Sequence, residues 1–471
     1  MGSLPVVSKA VGPRARRWDV IVLGSGIAGL VAAARLGSAG KRVLVVEESA
    51  ARDSFPGLRE PFFLPGLRSE GALSEVLREL GVPLIERRRL EPCDRAFQVI
   101  APNLRADVGT IEETVAEFEL WGIASAISSR PLLRALERAA EAERKAMLES
   151  PLVYVGRRGR LRRTKVEAYG RGLPHEIADI DPRLERVFAA QIRSLSNLAT
   201  ALPSKEAQAR LLGSVLGGGS TLRQGPPWLH GLLRRRVEAL FGEFRSPDGP
   251  FELVSAGGQP GVSVNSGREI WLGRALVIAA SASALAGALD QDPIPSFLAT
   301  PRTTRRRISL HWKLPARAIP AGMGERLVVL APSDPVADFE SERGGPLAEA
   351  PLLCVSLFGS GPSRDLVASA VHDGEGSIEA LEASIESRIR GLFPFGNGSF
   401  ERCTAPRPRW DDDAWLEDPP RKLGWPTQIP LRVSSRPPVY RLDRAEVGGL
   451  GLEGDLLLGW RAGDAIASEL A

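Results

Sequence analysis

The alternation of apolar and polar residues is sharpest near the N-terminus. Residues 19–23 are a short, almost wholly apolar run, the pattern of a strand buried on both faces. Residues 27–38 are rich in Ala and Leu, which favour helix, and Gly40 marks the stop. Residues 42–46 repeat the buried-strand pattern. Strand, helix and strand in this order open a βαβ unit and predict a parallel sheet. Further helices are expected over 72–81, 128–149, 205–216, 228–244 and 377–392, the second spacing its apolar residues helically among many charges. From 251 the pattern shortens. The runs 251–254, 261–264, 269–272 and 275–279 are separated by Gly, Ser and Asn and read as strands, as do 307–314 and 352–357. Residues 394–438, rich in Pro, Trp and Arg, are expected to be mostly irregular. A strand at 455–458 and a helix at 464–470 close the pattern, and no internal repeat is visible.

Composition narrows the class. A chain of 471 residues allows about three folding units. With 43% hydrophobic and 25% charged residues it is an ordinary globular composition. No uncharged apolar stretch reaches the roughly 18 residues of a membrane span. Residues 1–18 lack an apolar centre and read as a flexible basic leader rather than a signal peptide. The formal charge is +4, and nearly all basic residues are Arg. Their clusters at 14–17, 157–163, 234–236 and 305–307 are short and lack interleaved aromatics, which argues against nucleic acid. Cys93, Cys354 and Cys403 are isolated, so no disulfide framework is expected. The four His (His175, His230, His311 and His372) have no ligand spacing, so no metal site is expected. Asp411, Asp412 and Asp413 are consecutive and read as a solvated acidic turn, because neighbours on a loop rarely converge on one ion. A cytoplasmic location is expected, with peripheral membrane contact left open.

The chemistry lies at Gly24-Ser25-Gly26-Ile27-Ala28-Gly29, a GxGxxG turn between the first strand and helix. The first Gly makes the tight turn, the second lets backbone approach a pyrophosphate, and the third lets helix and strand pack closely. Phosphates would rest on free N–H groups at the helix N-terminus. The second strand ends at Glu47, placed to accept hydrogen bonds from ribose hydroxyls and to repel a 2′-phosphate, so FAD or NAD is favoured over NADP.

From 19 to 47 the chain resembles the flavin-binding start of the phytoene desaturase and amine oxidase superfamily. That family carries a Gly-Gly-Arg element after the acidic residue; here Pro56-Gly57-Leu58-Arg59 matches its first Gly and its Arg, with Leu58 replacing the second Gly. Residues 65–71 resemble the family's next glycine-bracketed stretch, and 261–280 its middle FAD-domain segment around the turn Asn265-Ser266-Gly267. The resemblance implies an α/β fold: a discontinuous Rossmann-like FAD-binding domain from 19–90, 210–290 and 431–471, and an inserted α+β substrate domain from 91–209 and 291–430. It implies FAD on Gly24, Ser25, Gly26, Ile27, Ala28, Gly29, Glu47 and Arg59. At the C-terminal flavin segment it points to Gly459, Trp460 and Gly463, with a shorter loop than the family's. Arg307 falls where many amine oxidases carry a Lys; Arg stays protonated and cannot serve as a base.

The expected function is FAD-dependent removal of a hydride from an apolar substrate such as an isoprenoid or lipid. No acid or base stands out, and the electron acceptor is open. Two alternatives remain: a flavoprotein fold kept as a binding or scaffold protein, and a plain NAD-binding module.

Overall fold

The computed structural model describes residues 4, 16–48, 55–66, 71–101, 104–149, 153–155, 182–199, 205–222, 228–298, 305–330, 352–372, 374, 376–396, 398–403, 409–417 and 429–471. The 65–71 stretch lies partly outside them, and the 157–163 cluster, His175 and most of the leader lie wholly outside.

Two sheets organise the chain. In the first, β1 (Arg16–Leu23) pairs in parallel with β2 (Val43–Val46) on one side and with Glu269–Ile278 on the other. Pro438–Arg441 and Glu243–Arg245 extend the parallel set, and Arg432–Ser435 adds an antiparallel edge. The register sets Leu23 beside both Val46 and Ile278, so every inner strand ends at the same level, where the glycine turn begins. Both faces are covered. Val20, Val22, Val43 and Val45 meet α1 (Ile27–Ser38) and its neighbours, while Ile21, Leu23, Leu44 and Val46 meet Phe251, Leu253 and Trp271. That double burial explains the unbroken apolar runs.

The second sheet is mostly antiparallel. Its order is Glu401–Arg402, Arg306–Pro315, Ser363–His372, Leu353–Phe358, Arg326–Val329, Arg95–Ala101 and Leu104–Gly109. Leu310, Trp312 and Leu314 face a core under the helix Ile378–Leu392. The opposite face of the same strand carries Arg307 and Ser309, which line a cavity.

Four expectations are corrected. The two runs 269–272 and 275–279 are one strand, since Gly273 continues the pairing. The helix expected over 228–244 ends at Ala239; Phe241 turns at φ 61°, and Glu243–Arg245 is a strand. Arg16–Trp18, assigned to the leader, pair with Trp271–Gly273. The expected strand at 455–458 is helical, inside one long C-terminal helix, Gly451–Glu469. Its residues Leu456, Leu457 and Leu458 are buried all round, and a helix that is apolar on every side mimics a buried strand in sequence.

Candidate functional site

The glycine turn is built as its sequence demands. Gly24 has φ 108°, and a Cβ there would lie 2.8 Å from the Ala280 nitrogen. A Cβ on Gly29 would meet the Gly24 carbonyl at 2.4 Å, so helix and strand touch at backbone distance. Gly26 differs: a Cβ there would meet Asp413 Oδ1 at 2.4 Å. The space before α1 is filled by the acidic segment 409–417.

That segment takes the donors of the turn one after another. The Ile27 N–H donates to Asp413 Oδ2 at 2.9 Å, which puts a carboxylate on the positive end of α1. Ser25 Oγ donates to Asp411, whose side chain is fully buried. Arg59 Nη2 donates to Ser25 Oγ at 3.2 Å and stands 3.7 Å from Asp411 Oδ2. Arg409 donates to Asp411 at 3.0 and 3.2 Å and to the Glu48 carbonyl at 2.8 Å. The Trp410 N–H donates to Glu48 Oε2 at 2.7 Å. Burial raises the Glu48 carboxyl above its usual range, against that hydrogen bond. Burial likewise pushes Asp412 up to about 6, although the Arg59 charge and the Ala414 N–H oppose it. Glu47 is buried and bonded to Arg234 Nη1 at 2.7 Å.

His230 completes the turn from below. Burial, then the Arg59 charge, lowers its pKa well below the usual value. The neutral ring meets the Ser25 carbonyl at 2.7 Å, so Nε2–H is the donor. Glu60 accepts from the Leu229 and His230 N–H groups at 3.0 and 3.1 Å and so caps the helix Leu229–Ala239. Burial pushes the Glu60 carboxyl up to about 7, against those two hydrogen bonds and the charges of Arg326 and Arg59.

Beyond the turn lies a cavity of about 150 Å³ between the two sheets. Its lining includes Ile27, Arg59, Glu60, Asp412 and Asp413 from the turn side and Ser309, Ser356, Ser369 and Cys354 from the second sheet. The register sets Ser309 beside Ser369 and Ser369 beside Cys354, a hydroxyl-bearing floor. Leu195, Leu211, Phe62 and Phe63 form apolar walls. Arg307 caps the helix Pro182–Leu195 by donating to the Ser196 carbonyl at 2.8 Å and the Arg193 carbonyl at 3.3 Å. Leu450, Leu452 and Asp455 bring the start of the C-terminal helix to the cavity edge. There a buried pair locks the end of the chain: Arg444 donates to both oxygens of Asp455 at 3.0 Å, and Asn197 Nδ2 donates to Asp455 at 2.9 Å. Arg444 also stands 3.5 Å from Asp413 Oδ1.

Of the residues singled out in the sequence, Gly24, Ser25, Gly26, Ile27, Ala28, Gly29, Glu47 and Arg59 gather at this turn. Gly459, Trp460 and Gly463 do not. Gly459 and Gly463 lie inside the C-terminal helix, where added Cβ atoms would meet the Ala28 carbonyl at 2.4 Å and Arg35 Cβ at 2.5 Å. They let that helix press onto α1, and Trp460 sits in the same apolar core. The helix end that borders the cavity begins at Gly451, not Gly463. Asp411, Asp412 and Asp413, read as a solvated turn, are drawn inward: Asp411 and Asp413 bond to the donors of the glycine turn, and Asp412 accepts from the Arg409 and Ala414 N–H groups of its own segment. His230, Arg234 and Arg409 were missed. Only the pairing of distant segments brings them here, and no local spacing signals it. Among the described residues no group of His, Cys, Asp and Glu is arranged to hold a metal.

A parallel sheet, a glycine turn at its C-terminal edge and a second sheet across a cavity make up a fold that this chain shares with solved oxidases. Residues 19–54 match the family described as FAD binding domain. Among solved structures, an oxidoreductase from Methanosarcina mazei is 15% identical with a TM-score of 0.54, covering 94% of this chain and 99% of that one. A double mutant of putrescine oxidase is 15% identical, TM-score 0.52, covering 96% and 100%. Cyclohexylamine oxidase from Brevibacterium oxydans is 16% identical, TM-score 0.51, covering 96% and 99%. Comparison with curated protein sequences gives no match. No helix among the described residues is long and apolar enough to cross a membrane.

The donors suit FAD in kind: helix N–H groups, a hydroxyl and Arg59 for pyrophosphate, Glu47 for ribose. The space does not suit it, because Asp411 and Asp413 stand where the pyrophosphate would rest.

Proposed function

We propose that this protein is an FAD-dependent oxidoreductase that removes a hydride from a substrate held between the two sheets. The carrying observation is the turn itself, whose glycines, Ser25, Arg59 and Glu47 converge at the C-terminal edge of a parallel sheet, where such folds bind nucleotides. FAD would supply the hydride acceptor; the chain would supply position and exclusion of water. Strands from 16–46, 243–278 and 432–441 would form the nucleotide unit, and Ser309, Ser356 and Ser369 on the second sheet would floor the substrate space. The serine-bearing floor favours a substrate with an apolar body and a hydroxyl or carbonyl group over a wholly apolar isoprenoid.

The filled phosphate seat favours a second reading, a binding or scaffold protein without turnover. Titration with FAD, followed by the shift of the flavin absorption bands, separates the two from the first reading's failure. Uptake of FAD whose flavin is reduced and reoxidised supports the oxidoreductase. Uptake of flavin that no donor reduces, or no uptake at millimolar FAD, rejects the oxidoreductase and supports the scaffold.

A further inference from the structure

We infer that the segment carrying Asp411 and Asp413 is an internal occupant of the pyrophosphate seat, which FAD must displace in order to bind. The inference rests on the FAD reading above and concerns how that site is controlled.

Three observations carry it. The two carboxylates use the donors a pyrophosphate would use: Asp413 takes the Ile27 N–H at 2.9 Å, and Asp411 takes the Ser25 hydroxyl and stands 3.7 Å from Arg59. Two negative groups thus replace two negative phosphates on one helix end. The same segment reaches the ribose side, where the Trp410 N–H and Arg409 hold Glu48, next to Glu47.

Its anchoring is uneven. Residues 414–417 are tied by backbone bonds to neighbouring segments. The Arg307 N–H donates to the Ala414 carbonyl at 2.8 Å, the Leu416 N–H to the Arg305 carbonyl at 3.0 Å, and the Glu417 N–H to the Asn197 carbonyl at 2.9 Å. Asp413 is held toward the turn by the Ile27 N–H and also faces Arg444 at 3.5 Å, while Asp411 is held by Ser25 and, within its own segment, by Arg409. An anion that takes those donors releases them while 414–417 stays in place as the hinge. After burial, the Asp411 charge adds to what raises the Glu48 and Asp412 carboxyls, a like-charge repulsion within the segment that Arg59 opposes.

The experiment compares FAD titrations of the wild type and of the Asp411→Asn, Asp413→Asn double variant, with amide exchange of 409–417 measured in the wild type before and after FAD. The expected result is FAD binding at least tenfold tighter in the variant and, in the FAD-loaded wild type, faster exchange of 409–413 with that of 414–417 unchanged. Equal affinity for both proteins, or slower or unchanged exchange in 409–413 of the wild type, overturns the inference and leaves the FAD reading standing. No uptake by either protein overturns both. If the variant does not fold, as judged by circular dichroism, the exchange measurement on the wild type decides alone.

Discussion

Replacing Asp455 with Ala tests whether the pair at the cavity edge holds the end of the chain. Arg444 and Asp455 are each 3% exposed. Their two bonds are 3.0 Å each, and Asn197 adds a third at 2.9 Å. Without the carboxylate, the guanidinium keeps the Trp415 carbonyl at 3.3 Å, Asp413 at 3.5 Å and the attraction of the Glu417 charge. Two charge-assisted bonds at about 1.5–3 kcal/mol each give a loss of about 3–6 kcal/mol. Breaking one partner of a buried pair costs about 3–5 kcal/mol by comparison with known cases. Asp413 is near enough to offset part of this, so about 3 kcal/mol is expected. Replacing both partners, Arg444→Met with Asp455→Leu, removes the stranded charge and should cost less than Asp455→Ala alone. Native-state amide exchange in the C-terminal helix measures this locally, which suits a chain of more than one unit. A cost under about 1 kcal/mol for Asp455→Ala, or a double variant as unstable as the two single losses added, would refute the reasoning.

Two further outcomes follow from the geometry. Gly459→Val drives a side chain toward the Ala28 carbonyl, where even Cβ would stand 2.4 Å away; overpacking costs about 1–3 kcal/mol, and because Ala28 belongs to the glycine turn, FAD uptake should fall with the melting temperature. A variant that melts like the wild type would mean that the two helices do not approach at backbone distance. Burial pushes the Glu60 carboxyl from its ordinary 4.5 up to about 7 in the fold, so the folded state binds the extra proton between those values and stability falls as pH rises through that window. The drop is at most about 3 kcal/mol; Glu60→Gln should flatten it, and parallel denaturation curves at pH 5 and pH 8 for both proteins check this.

Much of the nucleotide half was readable because its signals are local. Strand, glycine turn and helix lie within consecutive residues, and double burial leaves an apolar run that cannot be mistaken for surface. The C-terminal helix was misread because Leu456, Leu457 and Leu458 are buried on all sides, which erases the helical period. The glycines that seemed to mark a flavin loop mark a close helix contact instead, and residue type alone does not separate the two uses. The acidic triplet was misjudged for a different reason. Its partners, Ile27, Ser25 and Arg59, are hundreds of residues away, and whether three carboxylates face water or a helix end is decided only by tertiary pairing. The serine floor was hidden likewise, since it forms across three strands whose register the sequence does not show.

The clasp between α1 and the C-terminal helix also sets an order of events during synthesis. The two elements are separated by roughly four hundred residues, so at roughly 5–20 residues per second the first helix waits about 20–80 s for its partner. Throughout that interval the glycine turn stands on the ribosome with one flank bare. A chaperone that covers apolar helices would meet α1 first, and a nascent chain stalled before residue 451 would display a nucleotide-binding turn that has no back wall.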